Sequence, residues 1–248
     1  MRLQLSDIGV SYAALTAIRS IDAGIDGGRV VAVLGPNASG KTTLLRTIAG
    51  LQQPSTGRVE LDGSRVDKLC PHDLASRIAW VPRVAEVAGS FTIRKVVELG
   101  RYAFGPSRQR VEEALAKVDL LSRSESLWHE ASAGMRQRAA IARALAQRTP
   151  GGVLVLDEPT SALDLKHLRM VGEILRRCAS EGDIVIAALH NIPFALDIAD
   201  EVLVLRDGQL VLAGSTKAVL TPSSLGNVFG VDLAWATDEA GNRHLVQP

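Results

Sequence analysis

The sequence predicts an α/β fold: a mostly parallel sheet, antiparallel strands at the amino-terminal end and a helical insert. Three observations predict it. The runs Val30-Val31-Ala32-Val33-Leu34, Val153 to Leu156 and Ile184 to Leu189 are unbroken apolar stretches of strand length, the pattern of strands covered on both faces. The second and third bracket a helical pattern, Lys166 to Ser180, and strand–helix–strand in that rhythm makes parallel neighbours. Residues 84–150, by contrast, hold helical patterns with no strand between them.

Taken in order, Met1 to Ile8 alternates Leu3, Leu5 and Ile8 with polar residues and reads as a strand. The strand Arg29 to Leu34 runs into Gly35-Pro36-Asn37-Ala38-Ser39-Gly40, and Lys41 to Leu51 comes next as a helix closed by Gly50 and Pro54. Phe91 to Leu99, Arg108 to Leu121 and Met135 to Gln147 read as the helices of the insert, with Ala114, Leu115, Val118 and Leu121 on one face of the second. The turn Thr149-Pro150-Gly151-Gly152 opens the next strand, and Glu181-Gly182-Asp183 breaks the chain before Ile184. From Pro222 a short helix and two brief strands around an Asp238-Glu239-Ala240-Gly241-Asn242 turn are expected. The chain thus divides into a core of residues 1–83 and 151–248 and a helical subdomain of residues 84–150.

The 248 residues are 46% hydrophobic and 22% charged, which excludes disordered, collagen-like and disulfide-scaffold chains. With 28 basic against 27 acidic residues there is no bulk charge to draw the chain to nucleic acid or anionic lipid. Cys70 and Cys178 have no second Cys or His at metal-ligand spacing and read as unpaired thiols of a reducing compartment. No apolar run approaches the roughly 18 residues of a membrane span, and Met1 to Asp7 lacks a signal-peptide core. The expectation is a soluble, intracellular chain.

The segment from Gly35 to Thr42 fits G-x-x-x-x-G-K-[ST], and it lies between a buried strand and a helix, where that pattern has a mechanism. Glycines let backbone N–H groups turn inward around phosphates, and the helix start adds the positive end of a dipole. Lys41 would reach the β- and γ-phosphates, and the Thr42 hydroxyl could ligate Mg²⁺. A second apolar strand ends in Asp157-Glu158, and in a parallel sheet its carboxyl end faces the same crevice. There Asp157 could hold the Mg²⁺ shell while Glu158 orients or deprotonates an attacking water. His190, at the end of the following strand, could hydrogen-bond a γ-phosphate.

Three segments together resemble the ATPase subunits of ABC transporters. Asp157-Glu158-Pro159-Thr160-Ser161-Ala162-Leu163-Asp164 matches that family's Walker B and D-loop, Arg136 to Ala146 resembles the helix after its signature, and Leu189-His190-Asn191 is similar to its switch histidine segment. The resemblance implies a P-loop NTPase core that binds ATP and Mg²⁺. It also implies a head-to-tail dimer, either of two copies or with a second ATPase subunit, sandwiching two ATP molecules. By it, Glu158 and His190 are catalytic, Thr42 and Asp157 hold the metal, and residues Gly35 through Thr43 (Gly35, Pro36, Asn37, Ala38, Ser39, Gly40, Lys41, Thr42 and Thr43) cradle the nucleotide. Ser132, Gly134 and Asp164 complete the nucleotide set, and Tyr12 becomes an aromatic shelf for adenine, although by pattern alone it is an ordinary strand residue. The expected partners are transmembrane permease subunits and, indirectly, a substrate-binding protein, with no nucleic acid; the expected location is the cytoplasmic face of the inner membrane. Chain length and Val97-Glu98-Leu99-Gly100-Arg101-Tyr102 resemble importers of iron-siderophore, haem or vitamin B12, whose permease would dock on residues 84–104.

Two departures stand out. Where the family has Leu-Ser-Gly-Gly-Gln this chain has Ala131-Ser132-Ala133-Gly134-Met135, so Ala133 adds a methyl that would be costly at positive φ, and Met135 removes a bracing amide. Where the family has a Gln whose carbonyl ligates Mg²⁺, after the strand Ile78-Ala79-Trp80-Val81-Pro82, this chain has Arg83, which carries no acceptor atom. Either Arg83 contacts phosphate directly and slows turnover, or Asp157, Glu158 and His190 suffice without the amide.

Overall fold

The computed structural model describes residues 1–13, 15–238 and 243–247. In chain order the elements are β1 (Arg2–Tyr12), β2 (Leu15–Asp26), β3 (Arg29–Leu34), α1 (Lys41–Ile48), β4 (Thr56–Leu61), β5 (Ser64–Arg65), α2 (Pro71–Arg77), β6 (Ile78–Val81) and α3 (Ile93–Glu98). They continue with α4 (Arg108–Lys117), α5 (Ala133–Gln147), β7 (Val153–Asp157), α6 (Leu165–Ser180), β8 (Ile184–Ala188), α7 (Ile192–Ile198), β9 (Glu201–Arg206) and β10 (Gln209–Ser215). The chain closes with α8 (Thr216–Val219), α9 (Pro222–Phe229), β11 (Ala234–Thr237) and β12 (Arg243–Val246).

Six strands form the central sheet in the order β10-β9-β3-β8-β7-β6, parallel throughout except where β10 returns antiparallel on β9. A second, antiparallel sheet runs β2-β1-β4-β5. The central strands are buried on both faces, which is why they read as continuous apolar runs. Val30, Ala32 and Leu34 of β3 face a core shared with α3, α4, α5 and α6, whereas Val31 and Val33 face one shared with α1 and the antiparallel sheet. The same alternation divides Leu154 and Leu156 from Val153 and Val155 in β7.

The expected helices of residues 84–150 form, with shifted ends. The second stops at Lys117 because Asp119 takes a left-handed φ of 56°. Past that break the helical period no longer applies, so Leu120 is buried and Leu121, expected on the apolar face, is exposed. The terminal helix forms as α9, closed by Gly230 at φ 69°. The two brief strands pair as β11 and β12, and of the turn expected between them residues 239–242 lie outside the described set.

The ends of α5, α6, β7 and β8 are tied by one buried charge. Asp183 is fully buried, pairs with Arg148, and accepts the N–H groups of Gly151 (2.8 Å) and Gly152 (3.2 Å). Arg148 is held in turn by Glu181 at 2.6 Å. Asp183→Asn keeps the shape but removes the charge facing Arg148, so stability should fall by about 2 kcal/mol. For a chain of this size that is roughly 4–8 °C in the melting midpoint; a change within 1 °C would show that the pair adds no net stability.

Cys70 and Cys178 are unpaired, as expected. Cys70 is exposed and caps α2 by accepting the Asp73 N–H. Cys178 lies against the core, and burial pushes its thiol up to about 11. Iodoacetamide at pH 7 should therefore add one carbamidomethyl group to the folded chain, at Cys70, and two only after denaturation; rapid double labelling of the folded chain would contradict this. Among the described residues no helix is long and apolar enough to cross a membrane.

Candidate functional site

The parallel register brings the site together. Val33 of β3 pairs with Ala188 of β8, and Ala188 pairs with Asp157 of β7, so the three strands end on one level. Their carboxyl-terminal extensions project from the same edge: the loop from Gly35 after β3, Glu158 after β7, and His190 after β8.

The loop after β3 is shaped by its glycines. Gly35 has φ 144°, and a Cβ there would sit 2.0 Å from the Leu205 carbonyl oxygen. Gly40, at φ 98°, lies against Ile18 and the Ala17 carbonyl of β2 and starts α1 with no side-chain cap. The first turn of α1 contains no acidic side chain, so its N–H groups remain available to an anion. Ala38 takes a left-handed φ of 60° at the exposed tip beside Asn37. Ser39 is buried, and its Oγ has no hydrogen-bond partner among the described residues. Lys41 folds back over this loop, its Nζ donating to the carbonyls of Gly35 and Pro36, both at 2.8 Å. Burial pushes its ammonium below the usual lysine range, against the opposing pull of Glu158 and Asp157. Thr43 lies one residue further into α1, where its carbonyl accepts the Thr47 hydroxyl.

Asp157 is 2% exposed; its Oδ2 accepts the Thr42 hydroxyl at 2.9 Å, and its buried Oδ1 has no hydrogen-bond partner among the described residues. Burial pushes its carboxyl above the usual range, and the Thr42 bond acts in the opposite direction. A buried carboxylate oxygen without a donor beside a hydroxyl oxygen is a place for a hard cation. Among the described residues no group of three His, Cys, Asp or Glu side chains could hold a metal, so remaining ligands there would come from phosphate and water.

Glu158 adopts a left-handed φ of 49°, and its N–H donates to the Ala188 carbonyl at 3.1 Å. Its side chain is 7% exposed with both oxygens engaged: Oε1 lies 2.5 Å from His190 Nε2, and Oε2 lies 3.0 Å from Arg83 Nε. The Arg83 contact could not be foreseen from composition or period, because it depends on pairing across β6 and β7.

Other expected site residues lie apart. No hydrogen bond or ion pair among the described residues joins Ser132 or Gly134 to the Gly35–Thr42 loop; Ser132 caps α5 by accepting the Met135 N–H at 3.2 Å. Ala133 is helical rather than left-handed, so its methyl carries no backbone strain, and the close approach falls on Gly134, where a Cβ would sit 2.9 Å from the Ala162 carbonyl. Asp164 caps α6, its Oδ1 accepting the His167 N–H at 2.9 Å and contacting His167 Nδ1 at 2.8 Å. Tyr12 ends β1 in the hairpin whose other strand touches Gly40; it is 44% exposed, and its hydroxyl donates to Gln52 at 3.2 Å.

The profile of the family described as ABC transporter matches residues 18–161. The cobalamin import ATP-binding protein BtuD of Halobacterium salinarum is 38% identical over the whole chain, which spans 64% of that protein's length. The hemin import ATP-binding protein HmuV of Rhodopseudomonas palustris is 38% identical over 91% of this chain and 87% of its own. Among solved structures, an inward-facing ABC transporter assigned to the metal-chelate type superposes with TM-score 0.81 and 26% identity, covering 99% of this chain and 97% of that one. A dimeric ATP-binding cassette in a post-hydrolysis state with ADP and phosphate superposes at 0.77 and 26%, covering 86% and 98%.

Proposed function

The chain belongs to the ABC transporter family, and from that premise we propose that it hydrolyses ATP as the energy-coupling subunit of an importer. The observation that carries the reading is Glu158, a buried carboxylate against His190, on the same sheet edge as a glycine-shaped loop closed by Lys41. The N–H groups between Gly35 and Thr43, apart from Pro36, which has none, and the Lys41 ammonium take up the β- and γ-phosphates. Thr42 Oγ1 and Asp157, whose Oδ1 has no partner among the described residues, would hold Mg²⁺, and the ion would supply charge neutralisation on the phosphates. Glu158 accepts a proton from water as the water oxygen bonds to the γ-phosphorus; the bond from that phosphorus to the bridging oxygen breaks, and ADP leaves. His190 holds Glu158 and faces the transferred phosphate. Tyr12 stacks on adenine, which its exposed ring supports.

Ser132 and Gly134 have no partner in their own chain's loop, which supports their serving a second subunit's ATP in a head-to-tail dimer. Part of the segment 84–104, together with residues 105–108 and Glu125, lines an open cavity of about 740 Å³ that would receive the permease, with Tyr102 72% and Leu99 51% exposed. The named relatives support a cargo such as cobalamin or haem and a place at the cytoplasmic face of the membrane; a substrate-binding protein that delivers the cargo belongs to the same proposal.

Phosphate release from Mg²⁺-ATP, measured across protein concentrations, tests this: the specific rate rises with concentration as dimers form. Permease in lipid then raises it further. A second reading, a subunit that binds ATP without turnover, is favoured by the Arg83 contact on Glu158. It is the outcome if ATP binds but no phosphate appears, with or without permease.

A further inference from the structure

We propose that Arg83 is a positioning residue that holds the Glu158 carboxylate until the terminal phosphate of a nucleoside triphosphate draws its guanidinium away. The inference rests on Glu158 acting as the base of the reaction above. Its geometric root is the parallel pairing of β6 with β7, in which Val81 lies opposite Leu156. Arg83 and Glu158 each stand two residues beyond that pair, so the register sets one beside the other.

The two partners are held very differently. Glu158 is fixed: buried, backbone-bonded and braced by His190. Arg83 is 61% exposed, and no other hydrogen bond or ion pair of its side chain occurs among the described residues. It also borders an open cavity of about 440 Å³ shared with Glu86, Trp128, Arg136, Gln137 and Ser161, so the guanidinium has room to swing. His190 holds one oxygen of Glu158 and Arg83 the other, so the guanidinium stands over the oxygen that His190 leaves open to water. A γ-phosphate offers three oxygens and about two charges to a planar guanidinium fork, which a single carboxylate cannot match. ADP lacks that group and leaves the pair closed. Arg83 thereby couples release of the base to the presence of triphosphate, a task its side chain can perform although it cannot ligate a cation.

The test is titration calorimetry of the full chain with Mg²⁺ and two probes, the non-hydrolysable β,γ-imido analogue of ATP and ADP. Arg83→Met should weaken the analogue about fivefold and ADP less than twofold, and Arg83→Lys should recover most of the loss. Glu158→Gln removes the competing carboxylate, so it should tighten the analogue about threefold more in the natural chain than in the Arg83→Met chain. Equal gains in the two chains, or parallel shifts of analogue and ADP, would overturn the proposal while leaving nucleotide binding intact. Failure of the natural chain to bind either probe would overturn the nucleotide reading beneath it.

Discussion

Glu158→Gln lowers the rate of phosphate release by about 10²–10⁴-fold and leaves ATP bound. The amide is isosteric, still accepts the His190 contact, and cannot take a proton from water. The backbone conformation of this residue, left-handed at φ 49°, is set by the bond from its N–H to Ala188 and does not depend on the side-chain charge. Single-turnover phosphate release at saturating ATP, beside a binding titration, separates the two effects. A variant that keeps more than a tenth of the natural rate would remove Glu158 from the proton transfer.

Lys41→Ala weakens ATP binding on the order of 10²-fold. Charge-assisted hydrogen bonds to phosphate contribute about 1.5–3 kcal/mol each, and two are lost. The loss is partly offset because Nζ also bonds the Gly35 and Pro36 carbonyls, and those bonds compete with phosphate. Folding should be nearly unaffected by comparison, since removing the ammonium also relieves its burial. Calorimetric titration with ATP, alongside thermal unfolding, distinguishes a lost ligand from a lost fold; unchanged affinity would refute the role given to Lys41.

Much of the architecture was legible because burial on both faces writes itself into a strand as an unbroken apolar run. Val30 to Leu34, Val153 to Leu156 and Ile184 to Ala188 are strands of the central sheet for that reason. The amino-terminal sheet was less legible beyond Ile8. Irregularities in the β1–β2 register, with left-handed residues at Asp7 and Ser20, interrupt the alternation on which a strand assignment rests. The swap of Leu120 for Leu121 has the same origin: one left-handed residue, Asp119, resets the phase.

By itself the sequence determined the fold class and the local chemistry: a glycine-lined loop ending in Lys41 and Thr42, and a strand ending in Asp157 and Glu158. These are local properties, since backbone freedom, side-chain type and periodicity act over a few residues. Only the tertiary structure decided which of them meet. The level ends of β3, β8 and β7 bring His190 to Glu158, the β6–β7 register brings Arg83 to its other oxygen, and the Ala162 carbonyl makes Gly134 the crowded position of its segment rather than Ala133. Such meetings depend on strand register and on backbone packing between distant segments, and neither leaves a periodic trace in the chain.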